Sequence, residues 1–145
     1  MRIIEYIICV LLLTALIFLA ETCDRMKELT DRDKIISLYT ENAEVFRKAV
    51  ETGDYDEVKA LDGIQNVTEL DDRIEFYCGG TGFGSETSYY GILYTEDDIL
   101  NTWHRDGYYV DIEDGDIVFY EGGRGDNVLR YAPIEDGFYY FAESF

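Results

Sequence analysis

The residue types best suited to chemistry lie in the polar segment 95–106, which holds the only tryptophan and the only histidine of the chain, Trp103 and His104. A histidine can serve as a general base or as a metal ligand, but either role needs partners. With one histidine, a metal site would take its other ligands from carboxylates, and a Ser-His-Asp triad would depend on this residue alone. We therefore predict no catalytic residue and no metal site, and expect either a small recognition patch or a plain surface loop.

Two runs of acids, Glu96 to Asp98 and Glu113 to Asp116, offer carboxylate chemistry of two kinds. Clustered carboxylates bind calcium, and two carboxylates about 5 to 10 Å apart can hydrolyse a glycosidic bond. Neither run has the alternating ligands and glycine of an EF-hand loop. Solvated turns explain both runs, and a small carboxylate-dependent hydrolase stays as an alternative.

Glycines 79, 80, 82 and 84 form the most glycine-dense stretch of the chain. It lacks the Gly-Lys-Ser/Thr of a phosphate-binding loop and the spacing of a dinucleotide fingerprint, and a strand is predicted where a helix should follow. We predict an inter-strand loop and no cofactor.

The charge of the chain is strongly negative, −19, with 12 Lys plus Arg against 31 Asp plus Glu. From residue 60 onward there are 4 Arg and no Lys against 19 acids. Such a surface repels phosphate backbones, so nucleic-acid binding is disfavoured and cationic partners are favoured.

The three cysteines, Cys9, Cys23 and Cys78, include no Cys-x-x-Cys pair, so no zinc or thioredoxin-type site is indicated. Cys23 and Cys78 could form a disulfide in an oxidising compartment. The alternative is a buried thiol at Cys78 on the core face of its strand.

Residues 3–20 form an apolar run broken only by Glu5. As a helix it would measure about 27 Å, close to the hydrocarbon thickness of a bilayer. We predict a single-pass anchor over 1–22 and a charged linker over 23–29, with lipidation at Cys23 as the main alternative and a cleaved signal peptide as a weaker one. The cations after the run favour a cytoplasmic domain by the positive-inside rule, but they alternate with acids, and the two-residue head is typical of export signals. We expect the domain to be extracytoplasmic.

The segment 30–145 is predicted to be one α+β domain. Apolar residues recur at helical spacing from Thr30 to Gly53, which predicts one amphipathic helix of about six turns capped by Thr30. A short helix is expected over 54–61, and a first strand or an irregular connection over 64–70. Alternation over 73–78 and the apolar run 88–94 predict two strands flanking the glycine loop.

Two Asp-Gly dipeptides, 114–115 and 136–137, predict two-residue hairpin turns. The first turn sets Ile112 opposite Ile117 and Val110 opposite Phe119. The second sets Ala132 opposite Phe141 and Arg130 opposite Glu143. Together these signals predict a long and a short helix packed on an antiparallel meander sheet of five to seven strands.

The string YCGGTGFGSETSYYGILYTEDD resembles a segment of small, exported or membrane-anchored bacterial proteins with no assigned activity. The resemblance covers about the last half of the chain. It implies a recurring domain and carries over no catalytic or binding residue.

These observations favour a membrane-anchored binding or interaction module over an enzyme. Ten of the 13 tyrosines lie at or after Tyr77, and exposed tyrosines suit protein, peptide or glycan partners. An immunity-type inhibitor of a basic toxin is a variant of this hypothesis. The candidate recognition surface comprises Phe83, Tyr89, Tyr90, Trp103, His104, Tyr109 and Tyr120.

Overall fold

The computed structural model describes residues 28–83, 86–97, 99, 107–123 and 125–145. Within the described residues, three helices precede the sheet: α1 Arg32–Glu41, α2 Ala43–Thr52 and α3 Asp56–Lys59. The strands are β1 Asn66–Glu69, β2 Ile74–Phe83, β3 Glu86–Tyr94, β4 Tyr108–Glu113, β5 Asp116–Glu121, β6 Val128–Glu135 and β7 Phe138–Ser144. The predicted α+β class is confirmed.

The predicted long helix is two helices, because the backbone leaves helical geometry at Asn42, where φ is −123° and ψ is 21°. The Asn42 side chain donates a hydrogen bond to the Leu38 carbonyl at 2.9 Å, which competes with the regular helix ladder. The prediction of Thr30 as the cap is also wrong. Asp31 caps α1 instead and accepts from the Lys34 N–H at 3.0 Å. Gly53, at φ 70°, ends α2 as predicted.

The sheet has seven antiparallel strands in the order β1-β2-β3-β7-β6-β5-β4. Seven strands agree with the predicted five to seven, but the prediction of one continuous meander is wrong. Two meanders, β1 to β3 and β4 to β7, meet where the last strand pairs with β3. The chain therefore passes from the third strand to the far edge of the sheet before it returns to the centre.

Glycines 79, 80 and 82 belong to a strand, which corrects the predicted loop, and Gly84 lies outside the described residues. Strand β2 runs on through Gly82 to Phe83, with a bulge between Tyr77 and Gly79. A Cβ atom at Gly79 would lie 2.9 Å from the Leu29 carbonyl oxygen. Glycine is required there because the segment entering α1 crosses close to β2, where the Leu29 N–H donates to the Cys78 carbonyl at 3.0 Å.

The first Asp-Gly hairpin is confirmed in type and register. Val110 lies opposite Phe119 and Ile112 opposite Ile117. Asp114 and Gly115 have φ values of 53° and 90°, as a type I′ turn requires.

The second hairpin turns at Asp136-Gly137 as predicted, but Asp136 lacks the positive φ of a type I′ turn. The predicted pairs of Ala132 with Phe141 and Arg130 with Glu143 are wrong by one residue. Ala132 pairs with residue 140 and Arg130 with residue 142. The register shifts between Pro133 and Glu135. Proline has no N–H to donate to the ladder, and a bulge accommodates it.

The main core lies between the helices and one side of the sheet, which we call the helix face. Its strand residues include Phe76, Ile92, Ala132 and Tyr140, all buried. The ring of Tyr39 in α1 packs in a tilted arrangement against the ring of Phe138 in β7, with the centroids 4.8 Å apart. Phe46, Ala49 and Val58, from α2 and α3, are buried in the same cluster.

The opposite side of the sheet, which we call the second face, carries a smaller core. Leu93, Phe119, Leu129, Tyr131 and Phe141 are buried there against Ile99, which is fully enclosed. The buried strand residues of this core lie on the middle strands, and Tyr108 at the start of β4 packs against them.

The predicted membrane span, residues 3–20, lies outside the described residues, as do the linker residues 23–27 and Cys23. Within the described part of the chain, no helix is long and apolar enough to cross a bilayer.

Replacing Gly91 with alanine tests the central junction of the sheet. A Cβ at Gly91 would lie 2.3 Å from the Phe76 carbonyl oxygen and 2.7 Å from the Phe141 ring. We expect Gly91→Ala to lower the free energy of unfolding by about 1–3 kcal/mol, as overpacking does. The measurement is urea unfolding, with the exposed α1 substitution Ser37→Ala as the control. Equal stability of Gly91→Ala and wild type would contradict this packing.

Candidate functional site

The predicted recognition residues do not form one surface. Trp103 and His104 lie outside the described residues. The other five fall in four places: Tyr89 on the second face, Tyr109 with Tyr120 on β4 and β5, Tyr90 on the helix face and Phe83 near the end of the glycine-rich strand.

Tyr89 lies at the centre of an aromatic groove on the second face. Its ring centroid is 6.1 Å from that of Tyr77 and 6.1 Å from that of Phe145. Tyr89 is 41% exposed and Phe145 37% exposed, so both rings are accessible to a ligand. The groove encloses about 390 Å³, and Phe141 also lines it.

The groove exists because a glycine lies in the middle of one row of residues across the sheet. Tyr77 of β2 pairs with Gly91, and Gly91 pairs with Phe141 of β7. The absence of a side chain at Gly91 lets the edge of the Phe141 ring approach the backbone and leaves a depression between the flanking rings. Phe145 is fixed beside it by two backbone hydrogen bonds with Thr87, of 2.9 and 3.1 Å.

Polar groups border these rings. Asn66 and Thr68 come from β1, and two carboxylates, Glu75 and Glu143, come from β2 and β7. The Tyr131 hydroxyl donates to Glu143 at 2.6 Å, and the Arg73 guanidinium donates to Glu75 at 2.6 Å. Burial, with the nearby carboxylate of Glu28, raises the pKa of Tyr77, so its hydroxyl stays a neutral donor. The result is an apolar groove with a negative border, which can accept a partly apolar ligand that carries positive charge.

A second aromatic site lies where the helix face extends over β4 and β5. The rings of Tyr109 and Tyr120 stack with their centroids 5.3 Å apart. The Tyr120 hydroxyl donates to Glu113, which also accepts from Arg130 at 2.7 Å.

Asp116 joins this site to the helices. Both of its carboxylate oxygens accept from Arg32 at the start of α1, at 2.7 and 2.8 Å, and Arg130 approaches one of them at 3.2 Å. Asp116 is buried, so the solvated turn predicted for this acidic run is wrong at that position. The carboxylate is instead an anchor for two guanidinium groups.

The two remaining predicted residues take no part in either aromatic site. Phe83 is 96% exposed. Tyr90 is half-buried on the helix face, and its hydroxyl lies 3.3 Å from that of Thr81.

Three residues of the groove, Tyr77, Phe141 and Phe145, were not predicted from the sequence. Tyr77 shares the polar side of its strand pattern with Arg73 and Glu75, and this alternation was the signal available in the sequence. Phe141 and Phe145 could not be placed, because their position depends on the pairing of β7 with β3.

A cleft with acidic walls lies at one end of the sheet. Two adjoining hollows of about 620 and 320 Å³ share Tyr94, Thr95, Glu96 and Asp97. Asp136 lines the larger hollow, and Asp71 and Asp72 line the smaller one. Among the residues that the structure describes, no group of carboxylates, histidines or cysteines is arranged to hold a metal ion.

Cys78 is a free thiol in the main core, consistent with its predicted place on the buried side of β2. Burial raises its pKa to about 12, so the reactive thiolate is scarce at neutral pH.

Two carboxyl groups have lowered pKa values. Hydrogen bonds from Tyr120 and Arg130 lower the pKa of Glu113, and the Arg47 guanidinium lowers that of Glu135 to about 2. A general acid in glycoside hydrolysis needs a raised pKa, so neither group is suited to that role.

Comparisons with known protein families, with curated proteins and with solved structures find no match. The resemblance to exported bacterial proteins therefore stays a prediction.

The ion pair of Arg47 with Glu135 should make stability depend on pH. Arg47 bonds both oxygens of Glu135, each at 2.7 Å, and the pKa of Glu135 falls from 4.5 to about 2. A carboxyl with a lower pKa in the folded state adds stability above its unfolded pKa and loses that contribution as the pH falls through the folded value. We expect Arg47→Met to be less stable than wild type above pH 4.5, with the difference vanishing towards pH 2.

Urea unfolding at a series of pH values measures this difference. The control is Glu44→Gln, which removes the highly exposed second partner of Arg47 and should change little. A difference between Arg47→Met and wild type that stays constant from pH 5 to pH 2 would contradict the assignment.

Proposed function

We propose that this chain is a single-pass, membrane-anchored binding module whose folded domain, 30–145, lies outside the cytoplasm and binds a basic protein or peptide. The observation that carries the proposal is the aromatic groove of Tyr77, Tyr89 and Phe145 with its border of Glu75 and Glu143. The anchor is residues 3–20, and lipidation at Cys23 is the alternative means of attachment.

Aromatic rings with an accessible polar edge suit a protein contact. A tyrosine ring offers a large contact area and loses little conformational entropy on binding, since only two side-chain torsions become fixed. Tyr89 can therefore pack on a partner while its hydroxyl remains in reach of water.

The charge of the molecule favours a basic partner. The net charge of −19 steers cations towards the surface, and the faces of the groove rings attract ammonium or guanidinium groups. Glu143 adds negative charge at the border of the same groove, where Glu75 is already paired with Arg73. An immunity-type inhibitor of a basic toxin would use this complementarity, and its binding would weaken steeply with salt.

A carboxylate-dependent hydrolase remains the alternative from another class. It would require a carboxyl with a raised pKa in a cleft, beside a second carboxylate. Glu113 and Glu135, whose pKa values are lowered, provide no support for it.

Tyr89→Ala tests the groove. Full-length protein in non-ionic detergent is immobilised and exposed to a cell-envelope extract, and the retained basic protein is quantified at low and high salt. We expect wild type and the control Phe83→Ala, an exposed ring outside both aromatic sites, to retain the partner at low salt only. Tyr89→Ala should weaken retention about tenfold or more, as truncation of a central aromatic residue does. Equal retention by Tyr89→Ala and wild type would refute the role of the groove.

Detergent phase partitioning of the full-length protein tests the anchor. An uncleaved apolar segment should carry both wild type and Cys23→Ser into the detergent phase, because it needs no modification to remain in lipid. If only wild type enters that phase, lipidation at Cys23 is the means of attachment. If wild type stays in the aqueous phase, the membrane part of the proposal is wrong.

A further inference from the structure

The strand β4 forms one edge of the sheet and pairs only with β5 among the described strands. The opposite edge, β1, has four residues, Asn66–Glu69, and mostly polar side chains. Strand β4 has six residues, Tyr108–Glu113. Natural sheets protect their edges with short strands and charges, so a longer edge with apolar side chains indicates a site for pairing.

Two neighbouring apolar side chains of β4 are unusually exposed. Val110 is 49% and Ile112 66% exposed, although their cross-strand partners, Phe119 and Ile117, belong to the core of the second face. Val110 and Ile112 therefore extend the apolar surface of the second face to the edge of the sheet. A strand added beside β4 would cover both.

The two-residue turn decides which backbone groups of β4 point outward. Glu113 and Asp116 close the hairpin as a hydrogen-bonded pair. Hydrogen-bonded and non-hydrogen-bonded pairs then alternate along the two strands. Residues 108, 110 and 112 therefore direct their N–H and C=O groups away from β5. In agreement, the Ile112 N–H donates to the Asp111 carboxylate at 2.8 Å rather than to a strand partner.

The charge of β4 selects among possible occupants. Asp111 and Asp114 have no ion-pair partner among the described residues, and Glu113 and Tyr109 lie on the same side of the strand as Asp111. If a second copy of the chain paired with β4, the acids of the two strands would face and repel one another, and each copy carries a net charge of −19. A basic strand would instead place cations over Asp111 and over the exposed ring of Tyr109.

We propose that β4 is a strand-addition site for an extended basic segment of a partner protein, in which apolar and cationic residues alternate. The apolar residues cover Val110 and Ile112 on the second face, and the cationic residues face Asp111 and Tyr109 on the other. A carbonyl of the added strand replaces Asp111 as the acceptor of the Ile112 N–H, which releases the carboxylate to pair with a cation. This site goes beyond the aromatic groove, from which β6 and β5 separate it.

The test measures binding of a fluorescent peptide, acetyl-Lys-Val-Lys-Val-Lys-Val-Lys-amide, to the full-length protein in non-ionic detergent by anisotropy. We expect saturable binding that weakens at least tenfold in the double variant Val110→Thr, Ile112→Thr, since threonine preserves strand propensity but removes apolar surface. The control Phe83→Ala, at an exposed ring that belongs to neither aromatic site, should bind the peptide as wild type does.

Two further peptides on the wild-type protein separate strand addition from simple charge attraction. A peptide with an N-methyl group on every residue keeps its charges but has no amide N–H left to pair with an edge, and it should not bind. A peptide with glutamate in place of lysine should not bind either. Equal binding of the N-methylated peptide, or unchanged binding by the double variant, would overturn the proposal. So would sedimentation showing a dimer that the double variant abolishes, because β4 would then pair with a second copy.

Discussion

The pairing of β7 with β3 is the interaction on which the rest of the structure depends. It joins two meanders that would otherwise each expose an edge in the middle of the molecule. It brings Phe141 beside Gly91 and Phe138 beside Tyr94, so one strand supplies rings to both faces of the sheet. On the helix face the Phe138 ring meets Tyr39 of α1. On the second face Phe141 forms part of the aromatic groove. The packing of the helices and the shape of the aromatic groove therefore both depend on the position of β7.

The arginines in the described part of this acidic chain form ion pairs that connect its elements. Arg32 ties the start of α1 to Asp116 on β5, and Arg47 ties α2 to Glu135 at the end of β6. Arg130 links Glu113 to Asp116 within the sheet. A planar guanidinium can hold two carboxylate oxygens at once, which gives these pairs a defined geometry. Because these cations are already paired, the remaining surface is dominated by carboxylates, and this is the physical reason to expect basic partners.

The two proposed contact surfaces use different properties of the same sheet. The aromatic groove depends on side chains that project from the second face, with Tyr89 and Phe145 at its mouth. The β4 edge depends on backbone groups that point sideways, with Val110 and Ile112 beside them. The groove ends at β7, and strands β6 and β5 lie between β7 and β4. A rigid sheet could therefore hold two partner segments without either displacing the other.

The sequence by itself determined the local elements of the fold. Asp114-Gly115 imposed its turn and the register of Val110 with Phe119, because the positive φ values of that turn suit few other residues. The apolar stripe to Gly53 identified the helical segment but not its break at Asn42, where one side chain competes for a helix carbonyl. Only the tertiary structure decided which strands are neighbours, since β3 and β7 are distant in sequence and their pairing depends on burying both faces at once. It also decided the shift near Pro133, which places Tyr131 rather than Ala132 opposite Phe141, because a bulge depends on the partner strand as much as on the proline.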